Sequence, residues 1–154
     1  MAKIPFSKLG LKVNNEITLL AHGEQEIEVR HYLPMSEKLD VISDIVNQSV
    51  DDNGFYNPVK VKIFMTIEVV SAYTNLSFTT KQKEDPLKLY DLLISTGLFN
   101  NIINTINPDD WKEIQDSTWS TITNIYQYRN SVLGILESIS TDYSNLSLEA
   151  SNIQ

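Results

Sequence analysis

The chain has no cysteine, which excludes disulfides, thiolate metal sites and a cysteine nucleophile together. Histidine is nearly as scarce. His22 and His31 are the only two, and no third or fourth ligand is spaced to complete a metal site with them. The five glycines, Gly10, Gly23, Gly54, Gly97 and Gly134, lie far apart, so they cannot build a phosphate cradle or a nucleophile elbow. Positive charge is in short supply: twelve Lys plus Arg stand against twenty acids, for a net charge of -8. Lys60, Lys62, Lys81, Lys83 and Lys88 are the densest cations, and Glu68, Glu84 and Asp85 dilute them. A phosphate backbone would be repelled, and nucleic acid is not an expected partner. Long apolar runs are missing too. The opening Met1-Ala2-Lys3-Ile4-Pro5 has no signal-peptide core, and residues 63–73, the most apolar segment, are cut by Thr66 and Glu68. A cytoplasmic protein without a membrane span is expected. Asp51-Asp52-Asn53-Gly54 resembles a calcium loop only superficially, because the register would put Lys62 where a bidentate Glu is required. No spacing singles out an acid–base pair, so the expectation is a non-enzyme without cofactor or metal.

What is present reads as one domain. At 154 residues, with 42% hydrophobic and 21% charged residues, the chain is long enough for one core and ordinary in composition. Leu11, Val13, Ile17, Leu19, Leu20, Ile27, Val29 and Tyr32 alternate with polar residues around a turn at His22-Gly23-Glu24, which predicts a β-hairpin. Two strands alone are barely stable, so residues 1–34 are expected to form an arm that lies on helices or pairs with another chain.

Residues 35–140 read as a helical body. Ser36 can cap a helix whose Leu39, Ile42, Ile45, Val46 and Ser49 share a face. Behind Asn57-Pro58 two readings compete: Val59, Val61, Ile63, Met65, Ile67 and Val69 alternate as a strand would, whereas the run length and the Asn-Pro start favour a buried helix. Thr79 with Gln82 predicts a capping box, Asp85-Pro86 a helix start, and Gly97 the end of that helix. Residues 98–106 form a short helix. From Thr141 onward no period is found, which predicts a flexible tail over 141–154. The fold expected is therefore mainly α, a helical bundle with a long C-terminal helix and an N-terminal β-hairpin arm.

Residues 109–140 carry the functional expectation. Trp111, Ile114, Ile122, Ile125, Val132, Leu136 and Ile139 fall on one stripe at helical spacing, and Asp109 and Asp110 sit in the first turn where the macrodipole favours acids. A continuous helix of roughly 30 residues would be about 45 Å long, more than a compact domain of this size covers, so part of its face is free for another chain. In heptad register Thr118, Ile122, Ile125, Arg129, Val132, Leu136 and Ile139 form a seam with one cation in it. Arg129 either pairs with a carboxylate on a partner or lays its stem along the seam and reaches water. Trp119 and Tyr126 divide likewise between core and contact surface. The candidate interface is Trp119, Ile122, Ile125, Tyr126, Arg129, Val132 and Leu136, and the expected state is an oligomer.

Five strings carry a resemblance: Tyr32-Leu33-Pro34-Met35-Ser36-Glu37-Lys38-Leu39, Gly54-Phe55-Tyr56-Asn57-Pro58-Val59-Lys60-Val61, Ala72-Tyr73-Thr74-Asn75-Leu76-Ser77-Phe78-Thr79, Lys81-Gln82-Lys83-Glu84-Asp85-Pro86-Leu87-Lys88-Leu89-Tyr90-Asp91 and Tyr128-Arg129-Asn130-Ser131-Val132-Leu133-Gly134. Together they resemble small acidic proteins encoded among the structural genes of tailed phages and prophages of Gram-positive bacteria. The hairpin-then-helices layout is similar to phage tail assembly chaperones, which coat the tape-measure protein. The resemblance implies a virion structural or assembly protein, meeting itself or other phage structural proteins in the host cytoplasm or the virion. It transfers no functional residue. The negative surface supports a different class, an acidic regulatory or inhibitory protein that occupies a basic site on a host factor.

Overall fold

The computed structural model describes residues 3–151. An exposed N-terminal segment with a single 3-10 turn, Phe6–Leu9, leads into an antiparallel hairpin of β1 (Ile17–His22) and β2 (Gln25–Arg30), in which Leu20 faces Ile27. Seven helices follow among the described residues: α1 (Met35–Gln48), α2 (Pro58–Tyr73), α3 (Thr80–Lys83), α4 (Pro86–Ser95), α5 (Leu98–Thr105), α6 (Pro108–Arg129) and α7 (Val132–Ser151). The fold is mainly helical with an N-terminal hairpin and long C-terminal helices.

The segment with two readings is a helix. Val61, Ile63, Met65, Thr66, Ile67, Val69, Val70 and Tyr73 are all buried, so α2 is enclosed on nearly every side. A helix surrounded by protein needs no polar face, and its apolar residues can therefore mimic strand alternation. Asn57 starts it by accepting the Val59 N–H at 2.9 Å, with Pro58 at the first position where no donor is missed. The Thr79–Gln82 capping box forms in both directions, Asp85 caps α4, and Gly97 follows α4 at φ 74, a left-handed conformation that a side chain would strain. One cap differs from expectation. Met35, not Ser36, begins α1 behind Pro34, and no side chain caps that end. Leu39 points outward, while Lys38, Val41, Ile42, Ile45 and Val46 face inward.

The hairpin is less of an arm than its length suggests. Ile27, Val29 and Leu33 are buried, and burial of each is worth about 1.5–3 kcal/mol. The Asn75 N–H donates to the Glu28 carbonyl at 3.3 Å, the Glu28 N–H donates to Asn75 Oδ1 at 3.1 Å, and the Asn107 N–H donates to the His31 carbonyl at 3.0 Å. β2 thus contributes to the core, while Ile17 and Leu19 of β1 are exposed, as are Ile4, Phe6, Leu9, Leu11 and Val13 in the stretch before it.

The long helix expected over 109–140 is broken. α6 ends at Arg129, α7 begins at Val132, and Asn130 and Ser131 divide them. Asn130 donates to the Tyr126 carbonyl from both its N–H, at 3.1 Å, and its Nδ2, at 2.8 Å, while the Tyr128 carbonyl accepts the Ser131 N–H at 3.0 Å and the Ser131 Oγ at 2.6 Å, so carbonyls at the end of α6 are satisfied locally. Ser131 Oγ also accepts the Gly134 N–H at 3.1 Å and so caps α7. Helix continues to Ser151, so 141–151 are not the loose tail predicted from their lack of period; residues 152–154 lie outside the described residues.

Thr118 lies fully buried on α6, and its Oγ1 has no hydrogen-bond partner among the described residues. Thr118→Val removes an unsatisfied hydroxyl while keeping the shape. It should raise unfolding free energy by about 1 kcal/mol in a urea titration. A loss of stability would show that the hydroxyl is satisfied in solution.

Candidate functional site

The densest chemistry is a buried charge cluster joining α1, α2 and the start of α6. Lys38 is 1% exposed and Asp110 4%. Lys38 Nζ is paired with Asp110 Oδ1 and, at 2.5 Å, with Glu113 Oε2. The other Asp110 oxygen accepts the Tyr73 hydroxyl at 2.5 Å and the Leu33 N–H at 3.0 Å. The ammonium also stands 4.5 Å from the centroid of the Tyr32 ring. Burial lowers the Lys38 pKa, but hydrogen bonds to Asp110 and Glu113 more than offset it, and the net direction is upward. Burial, followed by the hydrogen bond to Asp110, pushes the Tyr73 phenol well above its ordinary value.

A Lys, a Tyr and a carboxylate together resemble catalytic machinery, yet every donor group here already has an acceptor inside the protein. A cavity of about 430 Å³ lies elsewhere, lined by Lys81, Gln82, Asp85, Lys88 and Leu92 among others. The cluster is a latch: it fixes α1 against α6 and ties the chain leaving the hairpin to both. In sequence Lys38 belongs to no motif, and Asp110 reads as a helix-dipole acid. The available signal is the spacing of Lys38 with Val41, Ile42 and Ile45, which puts a cation on a face that is otherwise apolar.

The predicted interface residues separate into three groups. Ile122 is buried in the core and Ile125 is half-buried against it. Trp119 and Tyr126 lie exposed on α6. Val132 and Leu136 lie exposed on α7, beyond the break, and the heptad seam does not run through one helix.

Arg129 takes a place that neither of its two readings described. Nη1 donates to the Gly54 carbonyl at 2.5 Å, and the guanidinium lies 6.0 Å from the Tyr56 ring centroid, so it clamps the α1–α2 loop to the end of α6. Arg129→Leu should cost about 1 kcal/mol of stability through that lost bond and leave association unchanged. Chemical denaturation and sedimentation of the same variant check both halves. The histidines are likewise employed separately: His31 Nε2 is 2.7 Å from Thr18 Oγ1, while His22 is exposed at the hairpin end. Among the described residues no group of three or more His, Asp or Glu is placed to hold a metal ion, and no helix is long and apolar enough to cross a membrane.

An apolar surface left open by the body lies on α7. Val132, Leu136, Ile139, Tyr143 and Leu146 recur at steps of four and three, a coiled-coil seam, and all five are exposed. Leu133 and Ile135 are exposed beside them. Outside the elbow, α7 is tied back by the Tyr128 hydroxyl, which donates to Glu137 Oε2 at 2.5 Å. No protein-family model, curated protein or solved structure matches the chain.

Proposed function

We propose that this chain is a structural or assembly protein of a tailed phage that works through protein–protein contact, as a tail assembly chaperone or a minor component of the head, neck or tail. The observation that carries the contact reading is α7. A 20-residue helix of low charge, exposing a full apolar seam, is a poor match for water and a good match for another protein surface. The phage setting rests on the resemblance of the five strings to proteins of phage structural gene clusters. The buried latch supports the same reading, because it fixes α1 against α6 in the body from which α7 projects.

The test is mass spectrometry of purified particles and of assembly intermediates from cells producing the phage that encodes the chain. Cross-links from α7 to a phage structural protein, or to another copy of the chain, are expected in one of the two samples. Absence of the chain from both would overturn the proposal.

A further inference from the structure

Two uncovered segments of this chain are complementary. The N-terminal segment before β1 exposes Ile4, Phe6, Leu9, Leu11 and Val13, with Phe6 74% accessible. Between them stand Lys3, Lys8 and Lys12 against Glu16 alone. α7 exposes its seam, with Tyr143 76% accessible, and along that seam Glu137 and Asp142 are the charged residues, with no cation beside them. A basic apolar strip and an acidic apolar helix therefore occur in one chain, each uncovered. They are also rooted apart. The hairpin that carries the N-terminal segment is fastened to the start of α6 through Asn107 and Asp110, whereas α7 leaves its end, 22 residues later and about 33 Å along the axis.

We infer that the occupant of the α7 seam is the N-terminal segment of a second copy of this chain, so that copies join head to tail. This deepens the contact reading above and rests on it. Pairing of α7 with α7 would set acids against acids with no counter-charge, while the N-terminal segment brings lysines toward the acids and apolar side chains toward the seam. That segment is also available: its backbone bond from the Lys8 N–H to the Pro5 carbonyl, at 3.0 Å, is local, so docking breaks nothing in the body. Such a contact is heterologous, since different surfaces of the two copies meet. It propagates until a ring closes or a filament grows.

The experiment uses full-length chains with paired substitutions at exposed positions only. Phe6→Ser with Leu11→Ser disables the segment; Leu136→Ser with Ile139→Ser disables the seam. Both proteins should melt as the wild type does, because none of the four side chains is in the core. In sedimentation the wild type should form species larger than a dimer, which dissociate as salt rises from about 0.1 M to about 1 M and the Debye length falls from about 10 Å to about 3 Å. Each variant alone should be a monomer. Mixed in equal amounts, they should form a species of two chains, because one intact segment and one intact seam remain.

A segment variant that assembles like the wild type would overturn the inference in favour of α7 self-pairing, with the assembly role intact. A wild type that stays monomeric at all concentrations would overturn it too, docking within one chain included. Particle mass spectrometry would then judge the assembly role separately.

Discussion

Asp110→Ala is expected to cost about 3–5 kcal/mol, a large share of the 5–15 kcal/mol that holds a domain of this kind together. The carboxylate is the common acceptor for Lys38 Nζ, the Tyr73 hydroxyl and the Leu33 N–H. Removing it leaves those donors buried, with Glu113 the one remaining carboxylate on the ammonium. The penalty is the desolvation of groups that the fold cannot return to water, and it exceeds what the intact pair contributes relative to apolar residues. A double replacement, Lys38→Met with Asp110→Leu, should consequently recover much of the loss. Urea titrations of the three proteins measure both effects, and an Asp110→Ala protein within about 1 kcal/mol of wild type would show that the latch is not closed in solution.

The same cluster sets an alkaline limit. Lys38 and Tyr73 both have pKa values raised by the fold. A raised value means that the folded state holds the proton more tightly than the unfolded chain. The stabilisation is fully present below the unfolded values, about pH 10 for both groups, and is lost as pH rises through the folded ones. The melting temperature should hold between about pH 7 and 9 and fall above about pH 10. Tyr73→Phe should begin lower at neutral pH and decline less steeply, because one of the two titrations is gone. An alkaline slope identical to wild type would assign the fall to surface charge.

Local chemistry was legible in this sequence wherever a side chain acts on the backbone beside it. Asn57-Pro58, Thr79 with Gln82, Asp85-Pro86 and Gly97 mark helix ends because caps and left-handed turns depend only on neighbouring residues. Contacts across the fold were not legible. Lys38 and Asp110 are separated by 72 positions, and only the packing of α1 on α6 brings them together. The break at Asn130-Ser131 was hidden for a different reason. Heptad spacing at 125, 129, 132 and 136 is the same whether one helix carries it or two, and the period masked the cap that Ser131 offers to Gly134. Of the candidate interface residues, Val132 and Leu136 lie on the exposed seam, while Ile122 belongs to the core.

Gly134→Ala should change the shape of the protein more than any other single methyl group. In the elbow, a Cβ at 134 would overlap the Tyr128 carbonyl oxygen and come within 3.1 Å of the Arg129 Cα. Both obstacles are backbone and cannot rotate aside. Alanine also favours helix over glycine by about 1 kcal/mol, so the substitution opposes the elbow and supports continuation of the helix through it. α7 is expected to swing away from α6. Were the two to fuse, the helix would run from Pro108 to Ser151, about 65 Å at 1.5 Å per residue. Small-angle scattering should report a larger maximum dimension, with the helical circular dichroism signal kept or increased. Core stability should be little altered, since the apolar side chains of the α7 seam lie exposed. Assembly should weaken, because the seam would face a new direction relative to the body. A Gly134→Ala protein with the wild-type scattering curve would mean that α6 and α7 already sample the open arrangement, and that the glycine does not set the angle at which α7 meets its partner.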